Sequence, residues 1–140
     1  MHKEMPLPAT LLVVDDEEGM RTTLADILEG QFSRIDQAAN GEEAVRKARE
    51  VAYDLILMDV RMPVLDGLQA LRRMRQEAPH LRVVLMTAYD DRQDLANVRE
   101  EVLAILPKPL DLKALLALVH DVLDEKAQPC AEQGRRGVGL

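Results

Sequence analysis

Five polar residues in this 140-residue sequence each follow a short aliphatic run. Asp15 and Asp16 close Leu11-Leu12-Val13-Val14, and Asp59 closes Leu55-Ile56-Leu57-Met58. Thr87 closes Val83-Val84-Leu85-Met86, and Lys108 comes just after Ala104-Ile105-Leu106. Taken singly, each has an ordinary reading, since an Asp after a strand is most often a turn former. As a set they form an ionic constellation. Two carboxylates about 5 Å apart repel by roughly 3 kcal/mol at an effective dielectric of 20. Three in one pocket therefore need raised pKa values, a cation, or both. Lys108 offsets part of that charge; a hard divalent ion such as Mg²⁺, with Mn²⁺ as the alternative, offsets more. A phosphoryl group would complete such a site. The cation and Lys108 would neutralise its oxygens, and the Thr87 hydroxyl and the following N–H, that of Ala88, would hydrogen-bond them. Asp59 would then be the nucleophile, giving an aspartyl phosphate.

The elements that must bring these residues together repeat five times. Behind the first apolar run, Met20, Leu24, Ile27 and Leu28 recur at helical spacing, and Gly30 stops the segment. A weaker strand spans Arg34 to Ala38. Asn40-Gly41-Glu42-Glu43 reads as a capping box opening a helix with Ala44, Val45 and Ala48 on one face. After Asp59 and the loop Arg61-Met62-Pro63 comes a helix carrying Leu68, Leu71 and Met74, with Pro79 just beyond it. Asp90 and Asp91 open a charged helix holding Leu95 and Val98. Asp111 is an N-cap for a last helix striped by Leu112, Leu115, Leu116, Val119 and Leu123. Continuous apolar strands alternating with helices imply an α/β chain, with a parallel sheet covered on both faces. Right-handed crossovers make a five-unit doubly wound sheet the expected topology, with its ligand site at the carboxyl ends of the strands. The expected organisation is an N-terminal arm over 1–8, one domain over 9–124, and a flexible C-terminal tail over 125–140 with no effector domain.

Composition removes several function classes. A net charge of −7 opposes nucleic-acid or anionic-membrane binding through bulk charge. The aromatics are Phe32, Tyr53 and Tyr89 only, too few for base-stacking platforms or flavin sites, so the core must be aliphatic. Methionines such as Met20 and Met74 then read as gap fillers. The lone Cys130 forms no internal disulfide and suits a reducing compartment. No apolar stretch reaches the roughly 18 residues that cross a bilayer, and residues 1–8 carry no apolar signal core. A cytoplasmic protein is expected. His2, His80 and His120 lack metal-ligand spacing, Arg135-Arg136 is too short for a nucleic-acid patch, and no P-loop occurs.

At the motif level the sequence resembles the response-regulator receiver domain of two-component signalling. The resemblance rests on Leu12-Val13-Val14-Asp15-Asp16-Glu17, Met58-Asp59-Val60-Arg61-Met62-Pro63 with Asp66-Gly67, Met86-Thr87-Ala88 and Pro107-Lys108-Pro109, in order over roughly residues 9 to 124. It implies a flavodoxin-like (βα)5 fold with strand order 2-1-3-4-5. It implies that Asp59 is phosphorylated by a histidine kinase or histidine phosphotransfer protein with Mg²⁺. Asp16, Asp59 and the Arg61 backbone carbonyl would ligate the metal directly, and Asp15 mainly through water. Thr87 would move toward the phosphoryl group and Lys108 would pair with it. The Lys108–Pro109 peptide would be cis, and Arg61 and Tyr89 would tune hydrolysis. Such a domain catalyses its own phosphorylation from phosphohistidine and slow autodephosphorylation, and is not a dedicated enzyme. Its output face, made by the fourth helix, fifth strand and fifth helix, would engage a downstream protein or, on phosphorylation, a second copy. Leu118 and Val122 widen the stripe of the last helix toward that face, or simply bury it.

Two departures from the family pattern stand out. The family usually carries Tyr or Phe three residues before the lysine, a side chain that swings inward as the threonine moves; here that residue is Ile105. Tyr89 is the aromatic that could substitute in part, though a solvent-facing loop residue is its plainer reading. Before the fifth strand the family's Gly-Ala turn is replaced by Arg99-Glu100-Glu101-Val102-Leu103, and the Thr87 to Lys108 interval is about one residue short. Deviation from family geometry is expected there. Ile105 also motivates the alternative of a phosphorylation-independent adaptor or scaffold. A haloacid-dehalogenase-like phosphatase would need a second Asp where Arg61 stands.

Overall fold

In the computed structural model, residues 9–88 and 95–127 are described. The N-terminal eight residues, Tyr89, Asp90, Asp91 and the segment 128–140 with Cys130 lie outside them. Five strands form one parallel sheet: β1 (Thr10–Val14), β2 (Arg34–Ala38), β3 (Leu55–Asp59), β4 (Val83–Thr87) and β5 (Ala104–Pro107), in the order β2-β1-β3-β4-β5. The helices are α1 (Glu18–Leu28), α2 (Gly41–Glu50), α3 (Gly67–Glu77) and α4 (Leu112–Ala127). This is the expected flavodoxin-like architecture, and the site-bearing residues follow strands at one edge of the sheet.

The aliphatic strands are buried because both sheet faces are covered. Leu12, Val14, Ile56, Met58, Val83 and Leu85 point into a core with Ala44, Val45, Ala70, Leu71 and Met74 of α2 and α3. Leu11, Val13, Leu55, Leu57, Val84 and Met86 point the other way, against Leu24 and Leu28 of α1 and Leu115, Val119 and Val122 of α4. This is the period-two alternation of a strand with two apolar faces. Each fully buried Leu contributes on the order of 2 kcal/mol. Of the aromatics, Phe32 fills the second core and Tyr53 the first. Tyr53 donates its hydroxyl to Asp36.

Several element ends differ in detail from their sequence signals. Asn40 caps α2 by accepting the Glu43 N–H, but the Glu43 carboxylate reaches back to the N–H of Ala39, one residue upstream of the expected box partner. A full capping box stands at Asp66 and Gln69, opening α3. Gly30 lies within a 3₁₀ turn that extends α1. Asp111 caps α4, accepting from Lys113 N and Ala114 N. The expected charged helix through Leu95 and Val98 is corrected over its described part. Residues 95–101 form turns ending in the 3₁₀ stretch Arg99–Glu101, with Val98 N bonded to Leu95 O and Glu101 N to Val98 O. Leu95 and Val98 are nonetheless buried. A spacing of three serves a 3₁₀ turn as well as an α-helix, and β-branched Val98 and Val102 do little to favour the latter. At the far end α4 runs to Ala127, past Asp124, where the periodicity fades. Lys126 pairs with Asp54 at 3.0 Å and Arg82 pairs with Glu125, tying the last turn to the opposite edge of the sheet. Val122 is buried and Leu118 half-buried against the core, so both serve packing. No described helix is long and apolar enough to cross a membrane.

Candidate phosphoryl and metal site

The carboxyl end of β1 delivers Asp15 and Asp16, and the parallel register places β3 beside it, with Val14 opposite Met58. Asp59 therefore follows one step further along the same edge. One oxygen from each of Asp15, Asp16 and Asp59 lies within 4.8 Å of the other two. Asp15 and Asp59 are buried, whereas Asp16 is exposed. Lys108 enters from β5, with its backbone N–H bonded to Thr87 O at 2.8 Å and the Lys108–Pro109 peptide cis. Its ammonium lies 3.0 Å from Asp15 Oδ2 and 3.3 Å from Asp59 Oδ2. One cation thus faces two buried carboxylates, of which Asp15 is 93 positions away in sequence.

The electrostatics follow from that imbalance. Burial, and then the charge of Asp15, push the Asp59 carboxyl above its ordinary pKa; the Lys108 charge and hydrogen bond and the Arg61 backbone N–H act in the other direction. For Lys108, burial works to lower the pKa. Its hydrogen bond to Asp15 and the charges of Asp59 and Asp15 outweigh that and hold the ammonium above its usual value. The two carboxylates thus favour the charged form of Lys108, whereas burial and the neighbouring Asp15 disfavour the charged form of Asp59, a penalty that further positive charge would relieve. The donor set is all oxygen and acidic, which suits Mg²⁺ or Mn²⁺ better than softer ions. The residues fit a hard divalent cation.

Asp15 is engaged at every polar atom. Its N–H donates to Ala38 O at 3.1 Å, Oδ1 accepts the Glu17 N–H at 3.0 Å, and Oδ2 accepts from Lys108. Its carbonyl accepts from Arg21 Nη1 at 2.8 Å. Thr87 is buried at the end of β4, and its hydroxyl donates to the Ala88 carbonyl at 3.0 Å. Ile105, half-buried on β5, helps enclose a cavity of about 200 Å³ with Thr87, Leu95, Arg99 and Pro107. The structure thus brings Asp15, Asp16, Asp59 and Lys108 together and sets Thr87 and Ala88 on the same edge. Tyr89 lies outside the described residues.

Two contributors escape a reading of motifs. Arg21 carries no sequence signal beyond its place in α1. Gly67 stands within a motif, but its physical role appears only in the fold. A Cβ there would lie 2.4 Å from Asp59 O and 3.0 Å from Val60 Cα, and Gly67 N donates to Val60 O at 2.8 Å. Gly67 lets α3 approach the backbone of Asp59 closely enough to brace it.

Comparison with known proteins agrees with this geometry. The sequence matches the family described as response regulator receiver domain over residues 11–120. It is 35% identical over 136 residues to the transcriptional regulatory protein ZraR of Klebsiella oxytoca, covering 91% of this chain but only 31% of that protein's length. It is 32% identical over 114 residues to the chemotaxis protein CheY of Halobacterium salinarum, covering 81% of this chain and 95% of that one. Among solved structures, the response regulator TrrA of Thermotoga maritima, in complex with Mg²⁺-BeF, matches with a TM-score of 0.73 at 32% identity. The alignment covers 81% of this chain and 98% of TrrA. With sequence, sheet order and edge chemistry in agreement, the chain belongs to the response-regulator receiver domain family of two-component signalling.

Proposed function

We propose that this receiver domain is a phospho-accepting switch in which Asp59 takes a phosphoryl group from a histidine kinase or histidine phosphotransfer protein. The observation that carries the reading is the buried meeting of Asp59 and Asp15 at one ammonium, with Asp16 beside them. An Asp59 oxygen attacks the phosphorus of a phosphohistidine. The P–O bond forms as the P–N bond breaks, and the departing imidazole keeps the electron pair and takes up a proton. Lys108 shifts from its shared carboxylates to the incoming phosphoryl oxygens. The Thr87 hydroxyl turns from the Ala88 carbonyl toward them, and the Ala88 N–H supplies a second donor. Asp16, Asp59 and the Arg61 carbonyl would hold Mg²⁺, with Mn²⁺ as the alternative. Asp15, whose carboxylate oxygens already accept from Glu17 N and Lys108, would act through water. When bound, the ion supplies positive charge to the developing phosphoryl oxygens.

The consequence is a shift between conformers rather than a turnover reaction, with slow autodephosphorylation closing the cycle. The shifted surface is the one bearing residues 95–101, β5 and α4, and its target is a downstream protein or a second copy. Arg61 and Tyr89 are proposed to tune the lifetime of the phosphate. The proposed extent of the module is 9–127, taking in the whole of α4 rather than stopping at Asp124, and its proposed compartment is the cytoplasm.

Incubation with acetyl phosphate and Mg²⁺, read by intact mass, is the test. One phosphoryl group should be gained by the wild type and none by Asp59→Asn or in excess chelator. No gain under conditions that label control receivers overturns the proposal. The adaptor alternative is kept open by Ile105, which leaves the cavity beside Thr87 without an aromatic. Partner binding unchanged by Asp59→Asn would favour it.

A further inference from the structure

We infer that Arg21 is the positioning residue of the Asp15–Asp16 acid pair, fixing the peptide from which Asp16 projects and thereby setting the affinity of the cluster for a divalent cation. The inference rests on the proposed reading of that cluster as a Mg²⁺ site.

Asp15 is fully buried and sits where the β1 ladder ends, since β1 pairs with β2 only as far as Val14 opposite Ala38. Its carbonyl has no strand to accept from, and a buried acceptor left without a donor is costly. Arg21, one turn into α1, fills the gap. Nη1 donates to Asp15 O at 2.8 Å while Nε donates to Gln37 Oε1 at 3.2 Å. Gln37 lies on β2 opposite Val13, so the guanidinium spans the two strands from above. The Gln37 backbone carbonyl in turn accepts from Lys47 of α2. A planar fork with two fixed donors suits such a bridge, and an ammonium cannot reproduce it.

The geometric consequence falls on Asp16. The Asp15 carbonyl and the Asp16 N–H share one rigid peptide plane. Holding that carbonyl fixes the plane, so only the φ of Asp16 and its side-chain torsions remain to aim its carboxylate. Asp16 is exposed, and unlike Asp15 it lacks burial to hold it in place.

Charge and geometry make opposite predictions for the loss of Arg21, and this makes the inference testable. A guanidinium near the acid cluster repels an incoming cation, so a purely electrostatic role predicts tighter Mg²⁺ binding once Arg21 is removed. A positioning role predicts weaker binding. Partners of this kind behind metal ligands change affinity by about 10- to 100-fold. The experiment is calorimetric titration with MgCl₂ of the full chain, wild type against Arg21→Met, Arg21→Lys and Gln37→Ala. Unfolding midpoints are measured in parallel in chelator, and Arg49→Met, which breaks an exposed ion pair with Glu77, is the control. The expected result is a Kd raised about 10-fold or more by Arg21→Met. Arg21→Lys should also weaken binding despite keeping its charge, Gln37→Ala should do so less, and the control should leave Kd alone. Should Arg21→Met unfold, Arg21→Lys decides by the same criterion. Unchanged or tighter binding in the Arg21 variants, or a lowered midpoint with an unaltered Kd, overturns the inference while leaving the metal site standing. A wild type that takes up no Mg²⁺ overturns the site and the inference together.

Discussion

At Asp59, burial and the neighbouring charge of Asp15 resist ionisation, while Lys108 and the Arg61 N–H favour it. Because the net shift is upward, the folded protein holds the Asp59 proton more tightly than the unfolded chain. Ionisation therefore costs stability. That cost is absent below the unfolded carboxylate range, grows as pH rises through it, and is complete above the folded pKa. Asp59→Asn, uncharged throughout, should unfold at a higher midpoint than the wild type at pH 7 in chelator. Its advantage should fade as the pH drops below the carboxylate range. A variant less stable than wild type at pH 7 would mean that the ion pair with Lys108 outweighs desolvation. Lys108 has the opposite dependence. Its raised pKa gives a contribution present below the unfolded lysine value and lost as pH climbs through the folded one. At this scale the charged groups were readable from sequence, because each abuts an apolar run. Arg21 and the braced carbonyl of Asp15 were not, because a helix arginine shows its partner only once two strands are in register.

Among the elements, the turn between β3 and α3 follows directly on Asp59, the proposed acceptor. Val64 has φ of 72° and is 73% exposed, and Leu65 N donates to Pro63 O at 2.8 Å across it. This is a γ-turn centred on a β-branched residue, which is strained. Val64→Gly should raise stability by about 1 kcal/mol in urea unfolding, since glycine reaches positive φ without a Cβ clash. Gly67→Ala should lower it by about 2 kcal/mol, because its Cβ must displace the backbone of Asp59 and Val60. It should also slow phosphate uptake. A Gly67→Ala variant as stable and reactive as wild type would show that this close approach matters little. The central strands were legible because their four-residue aliphatic runs are buried on both faces. The segment before β5 was not. Its order comes from Leu95 and Val98 in the core and from Arg75, whose guanidinium bonds the carbonyls of Pro79, Leu81 and Glu101. Tertiary contacts also extend α4 to Ala127, where Lys126 and Glu125 find partners outside the helix.

For the whole molecule, five strands and two helical layers exist to bring residues 15, 16, 59 and 108 to one point. A ligand that binds there stabilises the fold by mass action. Mg²⁺ at about 100 times its Kd should add about 2.7 kcal/mol to the wild type without changing the urea m-value. Asp16→Asn should gain much less. Equal gains in both proteins would place the ion elsewhere. The doubly wound parallel sheet was legible in the polar residues that punctuate aliphatic runs, whereas its strand order came from the family resemblance. The switch is less regular, since Ile105 replaces an aromatic and its cavity remains beside Thr87. Asp59 and Lys108, proposed to accept and to neutralise the phosphoryl group, do not line that cavity. Borohydride reduction of the chain after treatment with acetyl phosphate and Mg²⁺, followed by peptide mapping, locates the acceptor. Homoserine in place of Asp59 is expected, with Asp15 and Asp16 unmodified. Quantitatively phosphorylated protein that retains an intact Asp59 would contradict it.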